Sequence, residues 1–468
     1  MIGIYAHHQG NGHVQRALSV AADLDDEVTI LTSARIRDDA NPVPGRIRVL
    51  LLPLDYDEAG PVADPTAGGR LHWVPLGQTG LRQRMAMIAG WIDRTAPDVF
   101  WSDISVEVTL AARLTGTPVV TTVLPGRRDD APHVLAHGVC SALVAGWPRA
   151  AGAPAPAGAD RPLVPVGGVS RFADRAPDPG ARGGGRPRIL HLRGSGGAGH
   201  DARWDAVPGL LGDVEWVSLG GPGGRWVADP WEELCRADVV ITAAGQSSIA
   251  DLAAADAHVV VTPEERPFGE QDVTADTLRT LGLAEVVGRD DPVDQLVDSI
   301  RRTLGRARST PGAGSGLREA WEVDGAAARL AGVLTAVASG HEPEGQGAGH
   351  GARHRSPRRR RRRRPHHRPR RRRHHRRHLR RPRRRRRGRA RGCPRGGRSP
   401  GHRHRSRHHR RRRRHRWGWS SCRSLLLPSS GGSAWGCSYP RSSRRTPRPE
   451  EDSDVTRLGR HAPRRSRP

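Results

Sequence analysis

Short apolar runs alternate with amphipathic stretches along most of this chain. Residues 1–5 are apolar and partly β-branched, which predicts a buried strand, and residues 14–24 repeat apolar side chains at i, i+3 and i+4, which predicts a helix. Strands follow near residues 28–31, 47–52, 98–101 and 118–122, with helices over 81–94 and 106–115. Such alternation argues for a parallel sheet with helices on both faces. Residues 150–188 turn rich in Ala, Pro, Gly and Arg, a predicted interdomain linker interrupted by one ordered piece, LVPVGGVSRF. The pattern then restarts. Strands are predicted at 188–192, 214–219, 238–242, 258–262 and 284–287, and helices over 229–236, after Gly245 through Asp251, and over 271–281, 291–308 and 317–337. The expected fold class is α/β, two doubly wound domains facing each other over residues 1–165 and 166–340.

Ligands in such sheets bind at the carboxyl ends of the strands, so the loops leaving strands are where chemistry is to be sought. The first of these is YAHHQGNGHVQRAL. Gly10 and Gly12 allow backbone angles closed to other residues and bring N–H groups to a helix start, where negative charge is favoured. His13 stands beside them as a candidate base, with His7 and His8 in the same loop; a tight turn with surface histidines is the plain alternative. Asp103 ends a strand that faces the cleft and is a candidate to orient His13 or an acceptor hydroxyl, against the commoner role of an N-cap. In the second half, Gly194, Ser195, Gly196 and Gly197 follow a strand directly, as a diphosphate cradle or a structural turn would. The stretch AAGQSSIADL carries Gly245, Gln246, Ser247 and Ser248 at a helix start and Asp251 in the second turn, where a carboxylate can reach a ribose. Glu270 and Gln271 open the next helix, as sugar ligands or as a capping contact. The stripe Leu81, Met85, Ile88 and Ile92 reads first as core packing and second as contact with a lipid acceptor.

Charge divides the chain in two. Residues 1–350 carry 32 Arg and 44 acidic residues, a net charge of −12, whereas residues 351–468 carry 46 Arg and 4 acidic residues, a net charge of +42. No Lys occurs anywhere. The segment over 341–468, rich in Arg, His and Pro, has no apolar periodicity and strong self-repulsion, so a disordered tail is expected. It reads as GC-rich DNA translated out of frame, as an inert extension, or as a polycation for nucleic acid or anionic lipid. Cys140 and Cys235 lack any metal-ligand spacing and read as buried thiols of a reducing interior. Neither a signal peptide nor a membrane-spanning apolar run is found, so a cytoplasmic location is expected, with contact at a membrane surface left open.

Four separated pieces, GNGHVQRAL, VGGVSRF, RGSGGAG and AAGQSSIAD, come in the order and spacing of glycosyltransferase family 28, and the chain resembles the GT-B enzymes that make the lipid intermediate of peptidoglycan. The resemblance spans residues 1–337. It implies two Rossmann-like domains across a cleft and an inverting, metal-independent transfer with no cofactor, from a nucleoside-diphosphate sugar, UDP-linked by analogy, to an acceptor hydroxyl. The acceptor class it brings is a lipid-linked or cell-envelope glycan. Carried over, His13 is the base, Arg171 and Ser195 hold the diphosphate, Asp251 binds the ribose, and Glu270 and Gln271 meet the sugar. Asp stands at 251 where the family has Glu, Thr274 where it has Asn, and Arg193 and Ala243 where it has Gly and Arg. A sugar-nucleotide 2-epimerase of the same fold is a second reading, and a nucleic-acid-binding protein acting through the tail a third.

Overall fold

The computed structural model describes residues 1–343 except 37–40, 42, 44, 58–61, 153, 183–184, 195–202, 222 and 310–312. Strands β1 (Ile2–Ala6), β2 (Val28–Thr32), β3 (Ile47–Leu51), β4 (Val99–Asp103), β5 (Val119–Val123), β6 (Ala142–Ala145) and β7 (Leu163–Pro165) form one sheet in the order β3-β2-β1-β4-β5-β6-β7. Every pairing is parallel, with Ile4 beside Ile30 on one flank and Trp101 on the other. Central strands β1, β2, β4 and β5 are buried along their whole length, whereas edge strand β3 is largely exposed. A parallel sheet covered on both faces requires this continuous apolar character.

The covering helices are α1 (Gly12–Ala22), α2 (Thr79–Thr95), α3 (Val106–Leu114) and α4 (Ala131–Val139). Alternation along β1 divides the core: Ile2, Ile4 and Ala6 pack with α1, and Tyr5 packs with Phe100 and with Ile88 and Trp91 of α2. Of the stripe expected on α2, Ile88 and Ile92 are core and Met85 packs half-buried against it, whereas Leu81 is half-buried; Arg84 is buried on the same helix. Neither α4 nor β6 was anticipated. The sequence of α4, with Pro132 in its first turn and two histidines on its buried side, carries too little apolar periodicity to announce a helix.

The second sheet has the order β12-β11-β10-β8-β9, again all parallel, from β8 (Arg188–Leu192), β9 (Glu215–Leu219), β10 (Val239–Thr242), β11 (Val259–Val261) and β12 (Ala284–Val286). Its helices are α5 (Arg203–Leu211), α6 (Trp231–Arg236), α7 (Gln246–Ala254), α8 (Glu270–Thr280) and α9 (Val293–Ser309). Pro208 inside α5 hid that helix from a reading by periodicity.

The single closing helix expected over 317–337 is two helices, α10 (Leu317–Ala320) and α11 (Ala326–Ala338), because Glu322 and Gly325 take left-handed angles between them. Helix α10 packs on α7, whereas α11 crosses back and lays Leu330, Leu334 and Val337 on the first sheet beside α1. The crossing strands are stitched together. Gly168 N–H donates to Trp321 O at 3.0 Å, Arg329 Nε donates to Val166 O at 2.9 Å, and a Cβ on Gly168 would stand 2.4 Å from the Trp321 ring. Residues 163–168, expected as an ordered island in a linker, therefore supply the last strand of the first sheet and half of this crossing. The Arg-rich segment beyond residue 343 lies outside the described residues. Among the described residues no helix is long and apolar enough to cross a membrane.

At Gly3 in β1 a Cβ would lie 2.7 Å from both the Phe100 and Trp91 rings. Overpacking a close-packed core costs about 1–3 kcal/mol. Gly3→Ala should lower the urea midpoint accordingly without changing the slope; an unchanged midpoint would show that the rings can retreat.

Candidate active site

In the first sheet the strand order reverses between β1 and β4, and in the second between β8 and β10. Crevices at the carboxyl ends of such neighbouring strands are where doubly wound sheets bind ligands. The loop after β1 carries His13 into the first turn of α1, and Asp103 ends β4 next door. Their side chains meet, with His13 Nδ1 2.8 Å from Asp103 Oδ2. The other carboxylate oxygen accepts from Arg16 Nη1 at 3.0 Å. Asp103 has no solvent exposure. Burial alone would push its carboxyl up, but Arg16 and His13 outweigh burial and hold it well below the usual range.

Asp103 is not an N-cap, since Ser105 caps α3 and accepts from Val108 N–H. Between them Ile104 sits at φ 75°, a conformation that a β-branched residue enters only at a cost of about 1–3 kcal/mol. The strained turn ends the strand at Asp103 and starts the helix separately. With Nδ1–H given to Asp103, the Nε2 of His13 keeps its lone pair and can take a proton, and the carboxylate would stabilise the imidazolium formed. Sequence reasoning missed Arg16, although its i+3 spacing from His13 on a face otherwise apolar was the available signal.

Behind this pair lies a second polar cluster. His7 stacks on His8 with centroids 4.7 Å apart and meets His13 edge-on at 6.0 Å. Burial, with His13, His8 and Arg84 adding to it, pushes His7 down to about 3, and burial also lowers His8. Arg84 donates to Tyr5 Oη and Asp55 Oδ2, each at 2.9 Å, and to Ser33 Oγ at 2.5 Å. Asp55 Oδ1 has no hydrogen-bond partner and faces His8 Nε2 at 3.8 Å. A third cluster joins His72 Nε2 to Asp130 Oδ2 at 2.7 Å and His133 Nδ1 to Asp130 Oδ1. Burial opposes ionisation of Asp130, but these bonds win and lower it, while burial pushes His133 down to about 4. His7, His8 and Asp55, and likewise His72, Asp130 and His133, gather ligand-type atoms within 4.8 Å of one another. These two triads are the described residues able to hold a metal ion.

The first turn of helix α7 in the second lobe lies against the start of α1. Gly12 explains how close the lobes come: a Cβ there would lie 2.3 Å from Ser247 Oγ. Gly10, at φ 79°, has open space around it. Gly245 is the N-cap of α7, and Gln246, Ser247 and Ser248 form its first turn, none of them using a side chain to cap it. The first-turn N–H groups of a helix have no partner within the helix. Gln246 Nε2 instead donates to Thr274 Oγ1 at 3.0 Å. Asp251 is no free surface acid. Its Oδ1 accepts from Ser170 Oγ at 2.7 Å and its Oδ2 from Arg171 Nε at 3.3 Å, and burial raises its pKa despite them. Arg171 also donates to Ala228 O at 3.2 Å. Gln271 is buried, and its Oε1 accepts from Glu264 N–H at 2.8 Å, bracing the loop before α8. Glu270 accepts from Arg128 Nη2 across the lobes at 3.2 Å. Gly194 leaves β8 with nothing within 4 Å of its would-be Cβ, and Ser195, Gly196 and Gly197 lie outside the described residues. Ser170 and Arg128 were missed by the sequence reading, since their partners are distant in the chain.

Two doubly wound sheets meeting at their switch points define the GT-B class of fold. Solved structures of that class are similar to this chain. The glycotransferase of kitacinnamycin covers 72% of it and is covered over 98% of its own length, at 16% identity and a TM-score of 0.52. Phytolacca americana UGT2, complexed with UDP-2fluoro-glucose and pterostilbene, gives 15% identity, 72% and 98% coverage, and a TM-score of 0.51. Spinosyn forosaminyltransferase SpnP gives 14%, 72% and 99%, and 0.50. No curated protein matches the chain in sequence. Residues 231–310, from α6 to the end of α9, match the glycosyltransferase family 28 C-terminal domain. The chain has the GT-B fold and carries, within its second lobe, a stretch similar to the family 28 C-terminal domain.

The histidines give the fold a pH dependence. His7 and His133 stay neutral in the folded chain down to about 3 and about 4, while in the unfolded chain they titrate near 6.5. Between those limits the unfolded chain binds more protons, so stability rises with pH toward 6.5 and is lost on acidification. Urea unfolding at about pH 7.5 and about pH 5 should show that loss, each tenfold difference in proton affinity being worth at most about 1.4 kcal/mol. His133→Gln should flatten it, and equal stability at both pH values would refute the assignment.

Proposed function

We propose that this chain transfers a sugar from a nucleoside-diphosphate sugar to an acceptor hydroxyl. The observation that carries the reading is the pair His13 and Asp103 at the start of α1, where Gly12 meets Ser247 in the first turn of α7. In this reading His13 Nε2 takes the acceptor proton as the oxygen attacks the anomeric carbon, and Asp103 and Arg16 hold the imidazole in place. The bond to the diphosphate breaks on the opposite face, which inverts the configuration. The departing charge is met by the N–H groups at Gln246, Ser247 and Ser248 and by the helix dipole, a fixed cradle that needs no reorganisation. That cradle supports a reaction without a metal. Arg171 lies at the same end of the lobe, paired with Asp251, the proposed ribose ligand, and Glu270 and Gln271 are the proposed sugar ligands.

UDP is the favoured nucleotide, by the family 28 match and by the UDP-sugar bound in the Phytolacca structure. The acceptor proposed from the resemblance is a lipid-linked or cell-envelope glycan, reached at the membrane surface.

Two measurements test this. Thermal unfolding of the full chain with UDP, dTDP or GDP should rise for one nucleotide, by about 2.7 kcal/mol at a hundred times its dissociation constant. The rise should vanish in Asp251→Ala, and no rise with any nucleotide would sink the donor assignment. His13→Ala should lower transfer about 10²–10⁴-fold with nucleotide binding intact, as expected for loss of a general base. Undiminished turnover in that variant would move the base elsewhere.

A further inference from the structure

The loop that ends in Glu270 and Gln271 belongs to the second lobe, yet its strongest attachments are to the first. Phe268, in the turn Pro267–Gly269, sits at φ 65° and ψ 8°, a left-handed conformation that a bulky side chain enters only when its surroundings enforce it. The enforcement comes from across the cleft. Arg127 N–H donates to Phe268 O at 2.9 Å, and Gly126, at φ 98°, leaves that oxygen the space a Cβ would occupy at 2.2 Å. The ring of Phe268 meets His133 edge-on at 4.9 Å and His72 at 5.5 Å, and the Arg128 guanidinium lies over it at 4.5 Å. Asp130 bonds to both histidines and so fixes the two rings that receive it. Arg128 then bonds Glu270, and Gln271 closes the loop onto Glu264. One side chain of one lobe is received by a box of three from the other, two residues before the proposed sugar ligands.

We propose that Phe268 is a positioning residue: seated among His72, Arg128 and His133, it latches the loop over residues 264–271 across the cleft and so sets Glu270 and Gln271 toward the donor sugar. This rests on the donor reading given above. The latch acts on the sugar and not on the nucleotide, because α7, Arg171 and Asp251 belong to other elements. It is broken in three independent ways. Phe268→Ala removes the ring, Phe268→Gly removes it and also relaxes the backbone, and Gly126→Ala displaces Phe268 O from the first lobe without touching the ring.

The full-length protein and each variant would be compared for binding of UDP and of UDP-sugars, for kcat and KM, and for amide hydrogen exchange over residues 264–271. All three variants should keep UDP affinity within about twofold, lose about tenfold or more in preference for the UDP-sugar over UDP, and lower kcat about 10–100-fold, effects in the range that misplacement of a reacting group produces. Phe268→Tyr, which keeps the ring, should behave as wild type. Exchange over 264–271 should quicken in the three variants and not elsewhere, a readout that needs no ligand. If wild type binds no sugar nucleotide of UDP, dTDP or GDP the donor reading falls, and this proposal falls with it. If wild type binds one and Phe268→Ala keeps both the sugar preference and slow exchange, the latch is overturned while the donor reading stands.

Discussion

Asp103 is a carboxylate without solvent, and a buried charge is tolerable only if its oxygens are paired and hydrogen-bonded. Its two partners are both on α1. Arg16 and His13 lie one turn apart on that helix, so the carboxylate at the end of β4 fixes the rotation and height of α1 against the sheet. Once α1 is fixed, Gly12 is fixed at its start, and with it the point where the first lobe touches Ser247 of α7. The electrostatic demand of one residue thus reaches from the sheet through the helix to the opposite lobe. The same pairing leaves the outward nitrogen of His13 free for chemistry.

Besides the contact at Gly12, the described residues join the lobes at places of different physical character. The crossing at Gly168 and Trp321 is chain packed without room for a Cβ and closed by a backbone hydrogen bond. Helix α11 belongs by sequence to the second half and by packing to the first, which ties the end of the fold to its beginning. The contact of the 264–271 loop with Arg127 and Arg128 is made of one backbone bond, one ion pair and an aromatic ring. Such a contact is smaller than a core and depends on a few named groups.

Polar groups gather beneath the loop after β1 to an unusual degree. Arg84 is almost wholly buried and donates to Tyr5, Ser33 and one oxygen of Asp55. A network of that kind gains little net stability over an apolar core, but it specifies one arrangement and makes others expensive. Here it underlies His7 and His8 in the loop over β1, where burial lowers the pKa of both imidazoles. Rigidity behind the loop is what allows His13 to be aimed.

Sequence alone determined the alternation of strand and helix, the restart near residue 188, and the glycine loops after β1 and β8, because each is a matter of short-range periodicity or of residues that permit a turn. It singled out His13 and Asp103 separately and suggested that they meet, since both stand at strand ends that face one cleft. What it did not contain locally was partnership. Arg16 and Asp103 are 87 residues apart, Arg128 and Glu270 are 142 apart, and nothing in either neighbourhood marks the other. Helices α4 and α5 were missed because prolines and buried histidines broke the apolar period. The break that makes α10 and α11, and the return of α11 to the first sheet, follow from left-handed angles at Glu322 and Gly325 and from an apolar face on α1 left to be covered. Tertiary structure decided these because burial, charge pairing and close approach are properties of space, which the order of residues constrains only through the whole fold.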